Sequence, residues 1–120
     1  MNKRALVHLE LPADPKYILP LRLFLAGIAV RMNFSVDAIE DIKMAVSEVC
    51  TILLDDSCGG TFACEVDEQE NLTFAIRVVG GKPGDGDDGI SKIILEAIAD
   101  ACKFEMEDDR CVGIQVEFAL

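Results

Sequence analysis

The sequence predicts an α+β fold, a two-layer α/β sandwich in which a mixed β-sheet carries its helices on one face. Apolar residues recur every three or four positions in the predicted helices and alternate with polar residues in the predicted strands. These segments follow the order β-α-α-β-β-α-β-β, with helices and hairpins separated along the chain. The chain has 120 residues, of which 51% are hydrophobic, so residues 1–120 are expected to form one domain with its own core.

The first strand and helix are predicted from alternation and from a helix start. Residues 5–11 place Ala, Val and two Leu side chains on one face of a strand. Asp14 is the predicted N-cap, and Pro15 suits the first helical position. The helix is expected to run to about Arg31, with Pro20 able to delay its start.

The second helix has both a cap and an apolar stripe. Ser35 is its predicted N-cap, and Asp37 and Glu40 in the first turns favour the positive end of the helix dipole. Residues 55–60 end the helix. The stripe recurs at spacings of three and four: Ile39, Ile42, Val46, Val49 and Leu53.

The remaining segments are two hairpins around a third helix. Residues 61–67 and 72–79 form the first hairpin, and the acidic loop GGKPGDGDDG follows at residues 80–89. Ser91 is the predicted cap of the third helix. Residues 103–107 and 111–118 form the last hairpin. The inward face of the third helix is predicted to be Ile93, Ile94, Ala97, Ile98 and Ala101.

Composition excludes several classes of function. The net charge of −11 argues against nucleic acid and against an anionic membrane surface, whereas a basic protein surface is a suitable partner. No signal peptide is visible, and the apolar segment 17–32 is broken by Pro20, Arg22 and Arg31, so a cytosolic protein is expected. The five cysteines show no C-x-x-C spacing and are expected to be free thiols in or near the core rather than a zinc site.

The second helix contains the sequence IEDIKMAVSEVCT at residues 39–51. It resembles the helix that bears the N box in bacterial anti-sigma-factor serine kinases, which belong to the ATPase superfamily of histidine kinases, gyrase and Hsp90. The preceding LPADPKYILPLRLFLAGIAVRMNFS is similar to that family's first helix, and ILEAIADACKFEME to the segment after its second glycine box. The resemblance covers nearly the whole chain. It implies a histidine-kinase-like ATPase fold with a shortened ATP lid.

The family's N box implies roles for two positions of the second helix. It places a general-base Glu and a magnesium-binding Asn one helical turn apart, so that both reach one site. Glu48 stands at the base position, and Ile52 stands where the Asn belongs. An Ile side chain has no oxygen and cannot ligate a hard cation, so no metal site is expected. Asp56 stands near the place of the family's His.

The other candidate nucleotide-binding positions are implied by the family's glycine boxes: Gly80, Gly81, Asp85, Gly89 and Ser91. The first box normally supplies an Asp that accepts a hydrogen bond from the adenine amino group, which gives nucleotide specificity. Gly80 and Gly81 stand there without such an acceptor, and Asp85 or Asp87 could be a displaced substitute. The second box is reduced to Gly89-Ile90-Ser91, where a helix N-terminus can still attract an anion.

The acidic loop also allows a calcium interpretation. Asp85, Asp87 and Glu96 fall at positions 1, 3 and 12 of an EF-hand-like pattern. Gly89 and Ile90 then occupy positions 5 and 6, where a ligand and a glycine are required. Glu96 is also predicted to lie on the solvent side of a helix. A solvated turn therefore explains the loop better than calcium binding.

These changes favour a degenerate member of the family that acts as a protein-binding regulator. It would bind a sigma factor or an anti-anti-sigma protein without phosphorylating it, and the resemblance implies a homodimer in the bacterial cytoplasm. No cofactor is then expected. The second hypothesis is a divergent ATP-dependent serine/threonine kinase that uses ATP and Mg²⁺ through Glu48 and a displaced Asp. The third is a small-ligand sensor in the emptied pocket, with Ile52 on its floor.

Overall fold

The computed structural model describes residues 7–54, 59–81 and 89–120, which form a five-stranded sheet with helices on one face. The order of elements is the predicted one, with a short 3-10 helix at Pro15–Tyr17. Asp56, Asp85 and Asp87 lie outside the described residues. The elements are β1 (Val7–Pro12), α1 (Ile18–Arg31), α2 (Val36–Leu54), β2 (Thr61–Glu68), β3 (Leu72–Val79), α3 (Gly89–Ile98), β4 (Ala101–Glu107) and β5 (Arg110–Phe118).

The strands lie in the order β1-β2-β3-β5-β4, and all four described pairs are antiparallel. The two-layer α+β architecture is therefore confirmed, but the expectation of a mixed sheet is corrected. The physical reason lies in the connections. The two consecutive helices α1 and α2 return the chain so that β2 runs against β1. The last hairpin then places β5 between β3 and β4, which run in the same direction but are not neighbours.

The start of α1 follows the predicted capping chemistry. Asp14 caps the 3-10 helix, and its Oδ1 accepts a hydrogen bond from the backbone N–H of Lys16 at 3.0 Å. The α-helix follows directly at Ile18 and tolerates Pro20 in its first turn, where the missing N–H would have no helical partner. It ends at Arg31, as predicted. In the described part of the chain, no helix is long and apolar enough to cross a membrane.

The predicted cap of α2 is also confirmed, because Ser35 Oγ accepts a hydrogen bond from the backbone N–H of Ala38 at 3.1 Å. This helix contacts α1 on one side and α3 on the other, and it packs on β3 and β5. Alternate residues of the strands face it, including Phe62 on β2 and Phe74 on β3, both essentially inaccessible. Seven α2 residues are buried in the core: Ile42, Ala45, Val46, Val49, Cys50, Ile52 and Leu53.

The third helix differs from its prediction. It includes Gly89 and Ser91, so Ser91 lies inside α3 rather than at its cap. Leu95 is buried, whereas Ile93 is 67% exposed. The predicted inward positions Ala97 and Ala101 are exposed as well, and Ala101 already belongs to β4. The error arose because α3 is apolar on two faces, and periodicity alone does not say which face meets the core.

The last hairpin turns at Asp108 and Asp109, which adopt positive φ values of 52° and 65°. Two successive residues with positive φ characterise the type I′ turn, whose twist suits a two-residue hairpin, and Asp tolerates this conformation. Glu105 pairs with Gly113 and Met106 pairs with Cys111, so Val112 is the extra residue of a bulge in β5, beside the edge strand β4.

Two glycine pairs meet at one end of the sheet. Gly60 has a φ of +91°, and a Cβ added there would lie 2.8 Å from the backbone oxygen of Gly80. The backbone oxygen of Gly60 also accepts a hydrogen bond from the N–H of Ala13 at 3.1 Å. Three chain segments therefore cross at van der Waals distance, and this crossing requires glycine.

We expect Gly60→Ala to lower the free energy of unfolding by about 1–3 kcal/mol or more, because it adds both a positive-φ side chain and a backbone clash. Urea unfolding of the two proteins measures the difference. Gly27→Ala is the matched control: Gly27 lies in α1 with nothing within 4 Å of an added Cβ. The control should raise stability by up to about 1 kcal/mol. Equal effects of the two substitutions would contradict the crossing described here.

Candidate functional site

The candidate site is built on α2, which carries Glu48 and Ile52 one turn apart. Ile52 has no exposed surface and belongs to the core. Glu48 is partly buried at the edge of that core. The structure therefore separates the two positions that the resemblance links: one is a packing residue and the other retains a polar environment. Because the Ile52 side chain is enclosed by the core, it does not form the floor of an open pocket, which weakens the ligand-sensor hypothesis.

The third helix supplies a direct partner for Glu48. Ser91 Oγ donates a hydrogen bond to Glu48 Oε1 at 2.6 Å. This distance is in the range of short hydrogen bonds between a hydroxyl and a carboxylate. Ser91 is 3% exposed and is the only buried polar residue among those that the structure describes. Sequence reasoning placed both residues in one site but did not predict this contact, which joins positions 43 residues apart.

The glycine positions are only partly brought together with Glu48. Gly89 and Ser91 begin α3, which packs against α2. Gly80 and Gly81, both with positive φ, follow β3 and lie beside Gly59 and Gly60. Neither has a side chain that could accept a hydrogen bond from a base. The proposed substitute, Asp85, falls outside the described residues.

The described cysteines are free thiols in or near the core, as predicted. Burial raises the pKa of both the Cys50 and the Cys64 thiols to about 12. Burial is also the main cause that raises the pKa of Cys102 and of Cys111. A nucleophilic cysteine needs a lowered pKa and a cationic neighbour, so these thiols are inert packing residues. Clusters of three or more metal-type side chains are absent from the residues described.

A surface that the sequence did not distinguish from core lies on α1. Its inward stripe is Leu21, Leu25 and Ala29, all without exposed surface. On the opposite side, Leu19, Leu23 and Val30 are 57%, 58% and 60% exposed. We call these three residues the α1 patch. One sequence feature could have indicated this surface. The helix α1 is apolar nearly all round, although a helix with a single buried face needs apolar residues on that face only.

Arg22 lies beside this patch, one turn from Leu19. Its Nε atom is buried, and within the described residues it has no hydrogen-bond acceptor. This nitrogen is enclosed by the chain itself and does not face a partner, but Arg22 as a whole is only half-buried. The α1 patch therefore offers apolar contact with a cationic side chain at its margin.

The outer face of the sheet is a different kind of surface. Arg77 on β3 donates two hydrogen bonds, each of 2.9 Å, to the carboxylate of Glu105 on β4. The two side chains meet above Gly113 of β5. A Cβ added to Gly113 would lie 2.9 Å from an atom of each of them. A shallow depression of about 330 Å³ adjoins this pair, with Lys103 and Gln115 on its wall. Polar residues on the open face of an antiparallel sheet are typically solvated, so this depression does not indicate a ligand.

No protein-family model matches the chain. It is similar to the serine-protein kinase RsbW of Bacillus subtilis (strain 168), with 46% identity over 50 residues, which are 42% of this chain and 31% of that protein. RsbW of Bacillus licheniformis is 53% identical over 51 residues, 41% of this chain and 32% of the relative. The match thus spans less than a third of each relative's length. These partial matches support the resemblance found in the second helix.

We expect Ile52→Asn, which introduces the family's residue, to lower the free energy of unfolding by about 3 kcal/mol or more. The substitution removes buried apolar volume and encloses an amide in the core. Ile52→Val is the control, with an expected loss of about 0.5–1.5 kcal/mol. Urea unfolding checks both values. A nearly neutral Asn variant would mean that the side chain at position 52 reaches solvent or a site instead of the core.

Proposed function

We propose that this chain is a regulatory domain that binds a sigma factor or an anti-anti-sigma protein in the bacterial cytoplasm and does not transfer phosphate. The proposal rests on the surroundings of Ile52 and Glu48 in α2. Ile52 is enclosed in the core where the resembled family places its magnesium ligand, and Glu48 accepts a hydrogen bond from the chain's own Ser91.

The residues present do not fit a magnesium nucleotide. Mg²⁺ requires oxygen ligands in near-octahedral geometry, and Ile52 provides none. Adenine recognition requires a fixed acceptor, and Gly80 and Gly81 have no side chain to supply one. A general base must lie within hydrogen-bonding distance of the hydroxyl that it activates, and the Ser91 hydroxyl already holds that position relative to Glu48 Oε1. These three features support a binding role.

The α1 patch is the proposed contact surface. Apolar side chains at the centre of an interface provide most of its binding energy, and a buried charged pair fixes the orientation of the partner. Leu19, Leu23 and Val30 offer the apolar part, and Arg22 offers the polar part. The net charge of −11 suits a partner with basic patches and would raise the rate of association.

A homodimer is part of the proposal. Within the described sheet, β1 pairs only with β2, so its other edge presents free backbone groups. If β1 of a second copy paired antiparallel with this edge about a two-fold axis at Leu9, His8 would lie opposite Glu10 of the other chain. These two residues already form a hydrogen bond of 3.0 Å within one chain, so an imidazole nitrogen and a carboxylate oxygen could also pair across the two chains.

The second candidate is an ATP-dependent serine kinase. It is favoured by Glu48 at the base position and by relatives that are named serine-protein kinases. It requires that Ser91 release Glu48 and that other oxygens replace the ligand lost at Ile52. This hypothesis and the binding role differ in one measurable property, which is affinity for Mg-ATP.

We expect isothermal titration calorimetry to detect no Mg-ATP binding up to millimolar nucleotide. The physical reason is the loss of the metal ligand and the adenine acceptor, which removes one oxygen ligand for Mg²⁺ and the hydrogen bond that recognises adenine. Magnesium-dependent binding that disappears in Glu48→Ala would instead favour the kinase, and phosphate transfer to an anti-anti-sigma protein would then be assayed.

For the partner surface, we expect Leu23→Glu to weaken binding to a purified sigma factor or anti-anti-sigma protein at least about tenfold, because it puts a charge at the centre of the α1 patch. Val36→Glu is the matched control, since Val36 is 75% exposed at the start of α2 and the charge change is the same. The control should stay within about twofold. Equal losses in both variants would show that net charge, not the α1 patch, governs binding.

A further inference from the structure

The contact between Glu48 and Ser91 is unusual within this molecule. Most other described side-chain hydrogen bonds lie on the sheet, at caps or within one helix. This one joins two helices, and its donor, Ser91, is the only buried polar residue in the described chain. A hydroxyl removed from water needs a partner, and Glu48 supplies one to Ser91.

The third helix has few other attachments to the core. It has ten residues, of which only Ser91 and Leu95 are buried. Its outward side carries Ile90 and Ile93, which are 72% and 67% exposed. Lys92 lies 5.2 Å from the centroid of the Phe104 ring, a cation–π contact at the β4 side. Leu95, the partly buried Ile98 and the Glu48–Ser91 pair are thus among the contacts that hold α3 in place.

We propose that Glu48 and Ser91 form a latch, in which the carboxylate of α2 fixes the first turn of α3 against the core. Glu48 is then a positioning residue in this chain. This inference rests on the proposed function in one respect: if the domain works as a binding protein, the retained Glu has a structural use that does not require nucleotide chemistry.

The geometry gives the latch two states. When it is closed, Ser91 Oγ lies 2.6 Å from Glu48 Oε1 and holds the place that an external hydroxyl would need. When it is open, the carboxylate is released, and the buried hydroxyl must reach water. The carboxylate of Glu48 and the hydroxyl of Ser91 both need hydrogen-bond partners, so a partial displacement of α3 is unfavourable. The helix α3 therefore either docks on α2 or separates from it. The exposed Ile90 and Ile93 move with it.

The test is native-state hydrogen exchange on the free protein, without nucleotide or partner. We expect Ser91→Ala to accelerate exchange of the amides of residues 93–99 about 10- to 100-fold, because a hydrogen bond to a charged group is lost. The amides of α1 should not change. Ser47→Ala, next to Glu48 on α2, is the matched control and should leave α3 unchanged. Ser91→Thr should restore protection, because it keeps the hydroxyl.

A double-mutant cycle tests the pairing itself. Glu48→Ala and Ser91→Ala should each accelerate exchange in α3, and the double variant should be little faster than either single variant. Additive effects would overturn the latch, as would an equal acceleration in all elements, which indicates global destabilisation. These outcomes are independent of the proposed function, because Mg-ATP binding or failure to bind a sigma factor would refute that function without changing exchange in the free protein.

Discussion

The burial of α2 between the sheet and its two neighbouring helices is the constraint on which the rest of the structure depends. Seven of its residues are buried, and it alone contacts α1, α3 and the central strands. Each large aliphatic side chain buried there contributes about 1.5–3 kcal/mol of transfer free energy. The core and the candidate site therefore share one element.

This sharing means that a side chain at position 52 affects both the core and the candidate site. Ile52 adds to the same apolar surface as Val49 and Leu53, and a polar residue there must be satisfied by a bound ligand or by solvent. The aliphatic side chain present in this chain stabilises the core. Glu48 lies at the margin of that surface, where a carboxylate can remain if another part of the chain supplies a donor. Ser91 is that donor.

Much of the fold could be predicted from the sequence because its signals are local. The caps at Asp14 and Ser35, the stripe of α2 and the two hairpins all depend on residues within a few positions of one another. The orientation of α3 could not be predicted from local sequence signals, because this helix has Ile residues on both sides. Only its packing against α2 determines that Leu95 is buried and Ile93 is not.

The residues of the site could be predicted from the sequence, but their contacts could not. The resemblance implied a base position at Glu48 and a lost metal-ligand position at Ile52, but a motif does not report burial. The partner of Glu48 was assigned to a helix cap, because a serine near a helix start most often has that role. Its real contact crosses between helices, and only the packing of α3 on α2 reveals it.

The bulge in β5 has a consequence for how copies of this chain can assemble. The two edges of the sheet are unequal. The β4 edge lies beside the bulge at Val112 and carries the charged side chains of Lys103 and Glu107, whereas the described part of β1 pairs with β2 without a shift of register. Bulges and charges oppose the addition of another strand. If β1 pairs with a second copy, as proposed above, growth through strand edges would end there and give a closed pair of chains in place of an open fibre.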